Sequence, residues 1–257
     1  MKKFAKIVCV AAMGALLVMG LAACGESSSS STDKTYKIAT DTTFAPFEFQ
    51  KADGNYEGID VDILAAIAED QGFKYELEPL GFDAALQAVQ SNQSDAVIAG
   101  MTITDERAEV FDFSASYYDS GVIMAVASDS TISSYSDLSG KNVAVKKGTM
   151  GADYAASIAD QYGFTTVTFN DSPTMYQDVL AGNTVACFED YPVMGYAITT
   201  GMNLKMVGDL QSPNQYGFAV AKGQNADLLS MFNKGLENIK ANGKYAEICN
   251  KYVSSGN

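Results

Sequence analysis

Histidine is absent from this 257-residue sequence, and arginine occurs once, at Arg107. The missing imidazole excludes serine–histidine and cysteine–histidine catalysis, together with any zinc site that uses histidine ligands. We therefore predict neither a metal ion nor a cofactor, and we do not expect an enzyme. Positive side chains are few as well: 17 lysines and arginines face 31 acidic residues, which gives a formal net charge of −14. A chain this acidic is a poor partner for nucleic acid or for anionic lipid.

The N-terminal residues 1–23 have the pattern of a signal peptide. Three lysines precede an apolar stretch, residues 7–21, that is too short and wrongly flanked for a stable membrane span. The motif LAACG that follows resembles a bacterial lipobox, in which Cys24 becomes the lipidated first residue. An ordinary secretory signal with an incidental cysteine is the alternative. Lipidation predicts a protein anchored to a membrane, with residues 24–35 as a flexible, serine-rich tether.

Cysteines number only four in the whole chain. Cys9 belongs to the predicted signal peptide and Cys24 to the lipobox, which leaves Cys187 and Cys249 for the folded part. A disulfide between these two is compatible with an exported protein. Both lie in apolar helix or strand patterns, however, and buried free thiols are common. The sequence therefore favours free thiols and leaves the disulfide as the alternative.

Apolar segments with the spacing of strands alternate with segments that have the spacing of amphipathic helices. This alternation predicts right-handed βαβ units, a parallel sheet and an α/β fold, and its repetition predicts two similar lobes. The expected strands are residues 36–40, 73–77, 96–99, 122–126, 143–145, 165–169, 185–188, 205–207 and 217–220. The expected helices are one that starts at residue 60, one over 82–89, one that ends near 162, one over 173–180, one that starts at 189–192, and one over 226–253 with a break at 243. Residues 211–216 are predicted to be a polar, turn-rich connection.

The stretch from Gly100 to Arg107 is the most informative part of the sequence. Gly100 permits a close approach to the backbone, and Thr102 and Thr104 place hydroxyl groups beside unpaired amides. Thr104 is predicted to cap a short helix that carries Arg107 in its first turn. The planar guanidinium matches a carboxylate through two parallel hydrogen bonds, which a lysine cannot make. A surface ion pair is the alternative, but the glycine and the two threonines favour a carboxylate-binding site.

Three segments of the chain resemble the polar amino-acid-binding proteins of ABC importers, and the resemblance is closest to the glutamine-binding type. These segments are residues 39–49, 58–62 and 100–107. The match continues through residues 143–149, 189–192 and 215–217, in the expected order. It covers nearly all of the chain from Tyr36 to Tyr252, so we treat it as highly specific.

The resemblance implies a two-lobed periplasmic-binding-protein-like fold, with the ligand held in the cleft between two α/β lobes. Lobe 1 is expected to comprise residues 36–117 and 217–257, and lobe 2 residues 122–211. Two crossing strands, at about 117–121 and 212–217, would be the hinges.

The resemblance also implies how the backbone part of an amino acid is bound. Arg107 would hold the α-carboxylate, together with the amides of Thr102 and Thr149. Asp190 would take the α-ammonium group, with the carbonyl of Gly100 and the hydroxyl of Thr102 as further acceptors. A buried zwitterion needs one charged partner of each sign, because removing ions from water is costly.

The remaining positions would enclose the ligand side chain. Phe44 and Phe82 would contact its aliphatic part, while Lys146 and Asp41 would contact its far end. A donor beside an acceptor suits a carboxamide, which has one carbonyl and one amino group. As alternatives, Asp41 and Asp190 could be helix caps or turn formers, and Phe44 could be a core residue.

Two positions depart from the glutamine type and are candidates for altering specificity. Glu189 replaces a residue that is commonly neutral or imidazole-bearing, and Met150 replaces a familiar glycine. An extra carboxylate near the pocket would favour a longer or more basic side chain. Other polar and aromatic residues of the matching segments are assigned to structure or to solvent: Phe47, Phe49, Asp60, Asp62 and Lys147.

The sequence thus predicts an extracytoplasmic substrate-binding component of an ABC importer that captures a polar L-amino acid, foremost glutamine. Its partners would be the transmembrane permease subunits and the lipid anchor, and we expect a monomer. One alternative is a dehydratase-like enzyme that uses Glu189 as a general acid. Another is a binding protein for a different polar, acidic or basic amino acid. A sensory ligand-binding domain is less favoured, because no membrane span follows Val253.

Overall fold

A computed structural model describes residues 34–253 of the chain. The predicted signal peptide, the lipidation site at Cys24 and nearly all of the tether lie outside the described residues. At its C-terminal end, the predicted tether overlaps β1 by one residue, because Thr35 already pairs in that strand. Among the described helices, none combines the length and the apolar character that crossing a membrane requires.

Strands and helices alternate along most of the described chain. The strands are β1 (Thr35–Thr40), β2 (Thr43–Phe44), β3 (Glu48–Gln50), β4 (Tyr56–Glu57), β5 (Lys74–Pro79), β6 (Ala96–Val97), β7 (Phe111–Phe113), β8 (Tyr118–Ala127), β9 (Asn142–Lys146), β10 (Thr165–Phe169), β11 (Ala186–Asp190), β12 (Leu204–Tyr216) and β13 (Ala219–Ala221). The helices are α1 (Ile59–Gln71), α2 (Phe82–Gln90), α3 (Asp105–Ala108), α4 (Met150–Tyr162), α5 (Ser172–Leu180), α6 (Tyr191–Thr199), α7 (Ala226–Ala241) and α8 (Lys244–Tyr252).

Two five-stranded sheets form the centres of two lobes, which confirms the predicted two-lobed α/β fold. The sheet of lobe 1 has the order β5-β1-β6-β13-β7, and that of lobe 2 has the order β10-β9-β11-β8-β12. In each sheet the first three strands are parallel and the last two are antiparallel to their neighbours. The prediction of parallel sheets is therefore right for the βαβ part and wrong for the other edge. A small antiparallel sheet, β2-β3-β4, accompanies lobe 1.

Both sheets are covered by helices on both faces, as the apolar spacing requires. In lobe 1, apolar residues of α1, α7 and α8 pack on one face and those of α2 on the other. In lobe 2, α4 covers one face, and α5 and α6 cover the other. The C-terminal helices thus return to lobe 1 as predicted, and Gly243 separates them.

The segment predicted to be a polar, turn-rich connection is a strand instead. Residues 211–216 continue β12 and pair with β8, with register shifts around Gln211 and Asn214. Apart from the buried Tyr216, the side chains of this segment are exposed or half-buried, so the apolar pattern of a buried strand is missing from its sequence. The helix predicted to start at residues 189–192 is confirmed, because α6 begins at Tyr191 with Pro192 in its first turn and Asp190 at the N-cap position. Glu189 and Asp190 themselves are the last residues of β11.

The long strands β8 and β12 run side by side from one lobe to the other. At the lobe 1 end, the Tyr117 amide donates to the Tyr216 carbonyl at 2.9 Å, and the Ile103 amide donates to the Gln215 carbonyl at 2.8 Å. The chain therefore crosses between the sheets as a two-stranded ribbon that is anchored to the Gly100–Arg107 stretch.

The two cysteines of the described chain are both free thiols, as the sequence favours. Cys187 is buried in the core of lobe 2, whereas Cys249 on α8 packs against the core of lobe 1. Cys9 and Cys24 lie outside the described residues.

Gly151 is the position where we expect the packing of α4 to tolerate no side chain. A Cβ atom there would lie 2.7 Å from the Phe188 carbonyl oxygen of β11. We predict that Gly151→Ala lowers the free energy of unfolding by about 1–3 kcal/mol, because the helix must move away from the sheet. Gly195 in α6 is the matched control, since its nearest neighbour is the Met206 Cε atom at 3.6 Å.

Gly195→Ala should raise the free energy of unfolding by about 0.5–1 kcal/mol through helix propensity alone. Urea denaturation of both variants measures the difference. Equal stability of the two variants would show that the contact between α4 and β11 is not tight at Gly151.

Candidate functional site

A cavity of about 10 Å³ lies between the lobes, at the carboxyl ends of the parallel strands. This volume holds about one water molecule. Lobe 1 lines it with Phe44, Phe82, Ala99, Gly100, Thr102 and Arg107, and lobe 2 with Lys146, Thr149, Met150 and Asp190. The structure therefore brings eight of the nine predicted ligand-binding residues to one cavity, and Asp41 is the exception.

Gly100 forms part of the wall because nothing larger fits. Its φ of +52° is in the left-handed region, and a Cβ atom would lie 2.4 Å from the Phe44 ring. The close approach that the sequence suggests at this glycine is thus made by an aromatic ring. Its amide donates to an Asp60 carboxylate oxygen at 2.7 Å.

Arg107 is held in the cavity wall by its backbone and by its side chain. The Arg107 amide donates to the Thr104 hydroxyl at 3.1 Å, which confirms the predicted cap of α3. The guanidinium donates to the Thr102 carbonyl at 2.8 Å and, across the cleft, to the Gly148 carbonyl at 2.9 Å. It also lies over the Phe82 ring, 5.5 Å from the ring centroid. Both hydrogen bonds go to carbonyl groups, so the surface ion pair considered as the alternative does not describe this arginine.

Asp190 provides the opposite charge, at the end of β11. Its side chain is 4% exposed and makes no cap hydrogen bond with α6, so the helix-cap alternative does not hold. One carboxylate oxygen accepts a hydrogen bond from the Tyr216 hydroxyl, and the other has no partner among the described residues. Burial, followed by the charge of Glu189, raises the pKa of Asp190 to about 7. Asp190 is therefore a costly buried acid with one free acceptor.

Lys146 and Asp41 form an ion pair that joins the lobes. Both side chains are almost completely buried, and the ammonium group also lies 4.8 Å from the centroid of the Phe44 ring. Asp41 does not line the cavity: its carboxylate accepts from Lys146 and from the Thr42 amide at 2.6 Å. The turn-forming alternative for Asp41 thus describes part of its role. Together the two side chains add no net charge at this end of the cavity.

The two threonines of the site are already hydrogen-bonded to protein groups. The Thr102 hydroxyl donates to the Asn214 side chain at 3.3 Å. Thr149 caps α4 by accepting from the Ala152 amide, and its hydroxyl donates to the Lys146 carbonyl at 2.8 Å. Thr149 therefore places the N-terminus of a 13-residue helix beside the cavity, where the helix dipole favours negative charge.

The two phenylalanines are walls of the cavity and parts of the core at the same time. Phe44 is 4% exposed and packs against Phe47 and Tyr216, with ring centroids 5.9 and 6.5 Å apart. Phe82 is 6% exposed and begins α2 under the Arg107 guanidinium. Phe44 therefore belongs to the core of lobe 1 and also lines the cavity, and its contact with a ligand stays a prediction.

Glu189 lies elsewhere, although the sequence suggests a role in the cleft. Successive residues of a strand point to opposite faces, so Glu189 and Asp190 diverge. The Glu189 carboxylate accepts from the Ser172 and Tyr176 hydroxyls, both at 2.8 Å, and does not line the cavity. Met150, the other candidate for specificity, does line it.

Two residues of the cleft have contacts that sequence reasoning missed. Lys147, predicted to be solvated, forms an ion pair across the cleft with Asp83 at 2.8 Å. Tyr216, which the sequence marks only as part of a motif, is fully buried and donates to Asp190. Neither contact can be recognised from neighbouring residues in the sequence, because the two residues of each pair are far apart in the chain.

A model of the bacterial extracellular solute-binding proteins, family 3, matches residues 36–255. The arginine-binding extracellular protein ArtP of Bacillus subtilis (strain 168) is 30% identical over 252 residues, which cover 94% of this chain and 96% of ArtP. Among solved structures, an ancestral arginine-binding protein bound to arginine is 36% identical with a TM-score of 0.79. The match covers 85% of this chain and 98% of that protein.

Substrate binding domain 2 of GlnP from Lactococcus lactis, in an open conformation, has a higher identity of 46% but a lower TM-score of 0.63. That match covers 87% of this chain and 97% of the domain. The lower score fits a difference in lobe separation, because the lobes of this chain touch at Lys146–Asp41, Lys147–Asp83 and Arg107–Gly148. The resemblance drawn from the motifs is confirmed at the level of the family: the chain belongs to the bacterial extracellular solute-binding proteins, family 3.

Proposed function

We propose that the protein is the extracytoplasmic substrate-binding component of an ABC importer, and that it captures a polar L-amino acid, foremost glutamine, between its lobes. Family membership and relatives that are named for amino acids support this class of function. One observation carries the proposal. Arg107 and Asp190 line one cavity, and one oxygen of the Asp190 carboxylate accepts no hydrogen bond from residues 34–253.

These two groups are the complement of an amino-acid zwitterion. Arg107 has donors left over after its two bonds to carbonyl groups, and they suit an α-carboxylate. The free Asp190 oxygen suits the α-ammonium group. The Thr149 end of α4 adds favourable potential for the carboxylate. Because each ligand charge meets an opposite protein charge, the cost of removing both from water is offset.

The neutral Lys146–Asp41 pair supports a neutral, polar side chain. A ligand cation such as an arginine side chain would meet the Lys146 ammonium, and a glutamate side chain would have to compete with Asp41 for it. A carboxamide needs neither, because its carbonyl accepts from Lys146 and its amino group donates to Asp41. This is our reason for placing glutamine ahead of the arginine and histidine that several relatives are named for.

Capture requires the lobes to move apart, since an amino acid does not fit into about 10 Å³. We propose that lobe 1 (36–117 and 217–257) and lobe 2 (122–211) rotate about hinges at about 117–121 and 212–217. The two segments lie in the ribbon of β8 and β12 that joins the sheets. A ligand that touches both lobes would shift the population toward the closed form.

We further propose that the mature protein is a monomer that is lipid-anchored at Cys24 and delivers its ligand to the transmembrane permease subunits. The dehydratase alternative depended on Glu189 as an acid in the cleft. No observation favours it, because the Glu189 carboxylate is bonded to Ser172 and Tyr176 away from the cavity.

A thermal-shift screen of the lipid-free domain against the common amino acids tests the proposed function. A ligand that binds only the folded state raises the melting temperature by mass action. We expect the largest shift with glutamine. The proposal fails if no polar amino acid shifts the melting temperature.

Arg107→Lys should reduce glutamine affinity by about thirtyfold or more, because the ammonium group cannot replace two parallel hydrogen bonds to the carboxylate. Isothermal titration calorimetry measures the loss, and circular dichroism checks that the fold is retained. Glu106→Gln is the control on the same helix, since Glu106 is exposed and does not line the cavity. Affinity that is equal in Arg107→Lys and wild type would make Arg107 a structural residue.

Glutamine affinity should fall as the pH drops through about 7, by up to about tenfold per pH unit. The ligand ammonium group requires ionised Asp190, and burial raises the pKa of this acid to about 7. Because the folded pKa lies above the unfolded value, the stability of the unliganded fold that protonated Asp190 provides is fully present below about pH 4 and is lost progressively as the pH rises to about 7. Asp190→Asn should therefore raise the melting temperature of the unliganded protein at neutral pH while abolishing binding. Affinity that does not change with pH in this range would contradict the assignment.

Asp41→Asn should relax discrimination against glutamate. Removal of this carboxylate leaves the buried Lys146 ammonium without its partner, so a ligand carboxylate can take that place. We expect the affinity for glutamate relative to glutamine to rise by about tenfold or more. Competition between the two amino acids in calorimetry gives this ratio, and an unchanged ratio would remove Asp41 from the side-chain site.

A further inference from the structure

Glu48 and Asp60 are two fully buried acids beside the cleft, outside the cavity lining. Glu48 lies on β3 opposite Phe44, and Asp60 lies in the first turn of α1. The Asp60 amide donates to the carbonyl of Phe47, the residue before Glu48, at 2.9 Å, and this backbone bond holds the two acids next to each other. Neither oxygen of Glu48 accepts a hydrogen bond from any described residue. A buried carboxylate without a donor is costly, so this geometry requires a proton between the two groups.

The charged surroundings do not supply a cation for the pair. Asp41 and Lys146 act on Glu48, but they already form an ion pair with each other. On the other side, the groups that face Asp60 are the Tyr117 hydroxyl and the Cys249 thiol, which are neutral. Two adjacent acids in such a place cannot both be ionised.

Asp60 accepts two hydrogen bonds from the described residues and Glu48 accepts none, and this difference decides which of the two carboxyl groups is protonated. Asp60 accepts from the Gly100 amide at 2.7 Å and from the Tyr117 hydroxyl at 2.8 Å, so its negative charge is stabilised. Burial, followed by the charges of Asp60 and Asp41, raises the pKa of Glu48 well above its usual range. Burial raises the pKa of Asp60 to about 6, and the two donors oppose this shift.

The hydrogen bonds of Asp60 reach both the cavity wall and the ribbon between the lobes. Gly100 packs against Phe44 in the wall. Tyr117 lies at the start of the ribbon, where its amide donates to the Tyr216 carbonyl at 2.9 Å. Tyr216 in turn donates to Asp190.

We propose that Glu48 and Asp60 share one buried proton, held on Glu48 at neutral pH, and that this pair is a positioning site that fixes Gly100 and Tyr117 for ligand capture. Its effect on the ligand rests on the proposed function. Neutral Glu48 donates to Asp60, and ionised Asp60 holds the two donors in place. Acidification through about pH 6 adds a second proton to Asp60 and weakens its bonds to Gly100 and Tyr117.

The shared proton is tested on the unliganded protein by the number of protons released on unfolding. Glu48 ionises when it unfolds into water, so wild type should release one proton from this residue at about pH 7.5. Glu48→Gln preserves a donor to Asp60 but has no proton to release. The pH dependence of the free energy of unfolding should therefore differ by about one proton between the two proteins.

Glu57→Gln is the matched control, because Glu57 lies on the neighbouring strand β4 and is partly exposed. It should release as many protons as wild type. An unchanged proton count in Glu48→Gln overturns the shared proton. Wild type alone provides a second measurement: with isotope-labelled glutamate, infrared spectra at about pH 8 should show one protonated carboxyl group. Absence of that band overturns the proposal even if the variant does not fold.

The positioning role is tested by glutamine affinity in calorimetry at neutral pH. Asp60→Asn replaces the charged acceptor of Gly100 and Tyr117, and should lower affinity by about tenfold or more. Glu48→Gln should bind as wild type does, because its amide still donates to Asp60. Asp62→Asn is the control on the same helix, since Asp62 pairs with Lys251 on α8 and should not matter for the ligand.

Wild-type affinity in Asp60→Asn would overturn the positioning role. A loss of affinity in Glu48→Gln as large as that in Asp60→Asn would overturn it as well.

A failure of the proposed function can be distinguished from a failure of the positioning role. Wild type would then bind no amino acid, whereas the proton count and the infrared band of the unliganded protein would still report on the acid pair.

Discussion

Two opposite charges, the Arg107 guanidinium and the Asp190 carboxylate, line a cleft that excludes nearly all water. The two groups are not hydrogen-bonded to each other: Arg107 donates to carbonyl groups, and one Asp190 oxygen has no hydrogen-bond partner within the described part of the chain. Burial raises the pKa of Asp190 to about 7. Such groups destabilise a buried site unless a partner arrives. In our account, the zwitterionic end of an amino acid is that partner, and the protein retains this cost in stability for the sake of binding.

The scaffold around these charges is organised so that both lobes contribute to each end of the cleft. Lobe 1 supplies Arg107 through a capped helical turn, and lobe 2 supplies Asp190 at the end of a central strand. Tyr216 connects them, because it belongs to the ribbon between the lobes and donates to Asp190. At the far end, Lys146 of lobe 2 meets Asp41 of lobe 1. In the function that we propose, lobe closure and charge compensation are therefore the same event.

Local patterns predicted the local structure well. The Thr104 cap, the βαβ order and the break at Gly243 all follow from neighbouring residues in the chain. The sequence also predicted eight residues that line the cavity, because the resemblance carried them as motifs. It failed where long-range packing decides the outcome. Residues 211–216 form a strand only because β8 offers them backbone partners, and Glu189 turns away from the cleft because Asp190 faces it. The burial of the two neighbouring acids Glu48 and Asp60 has no signal in the sequence either.

We propose that Arg107 and Asp190 bind the two charged groups of one amino acid. A crystal structure of the lipid-free protein with glutamine measures this directly. Our account predicts the α-carboxylate on the Arg107 guanidinium, the α-ammonium group on Asp190, and the carboxamide between Lys146 and Asp41. A ligand bound outside this cleft, or one whose α-carboxylate does not contact Arg107, would contradict it.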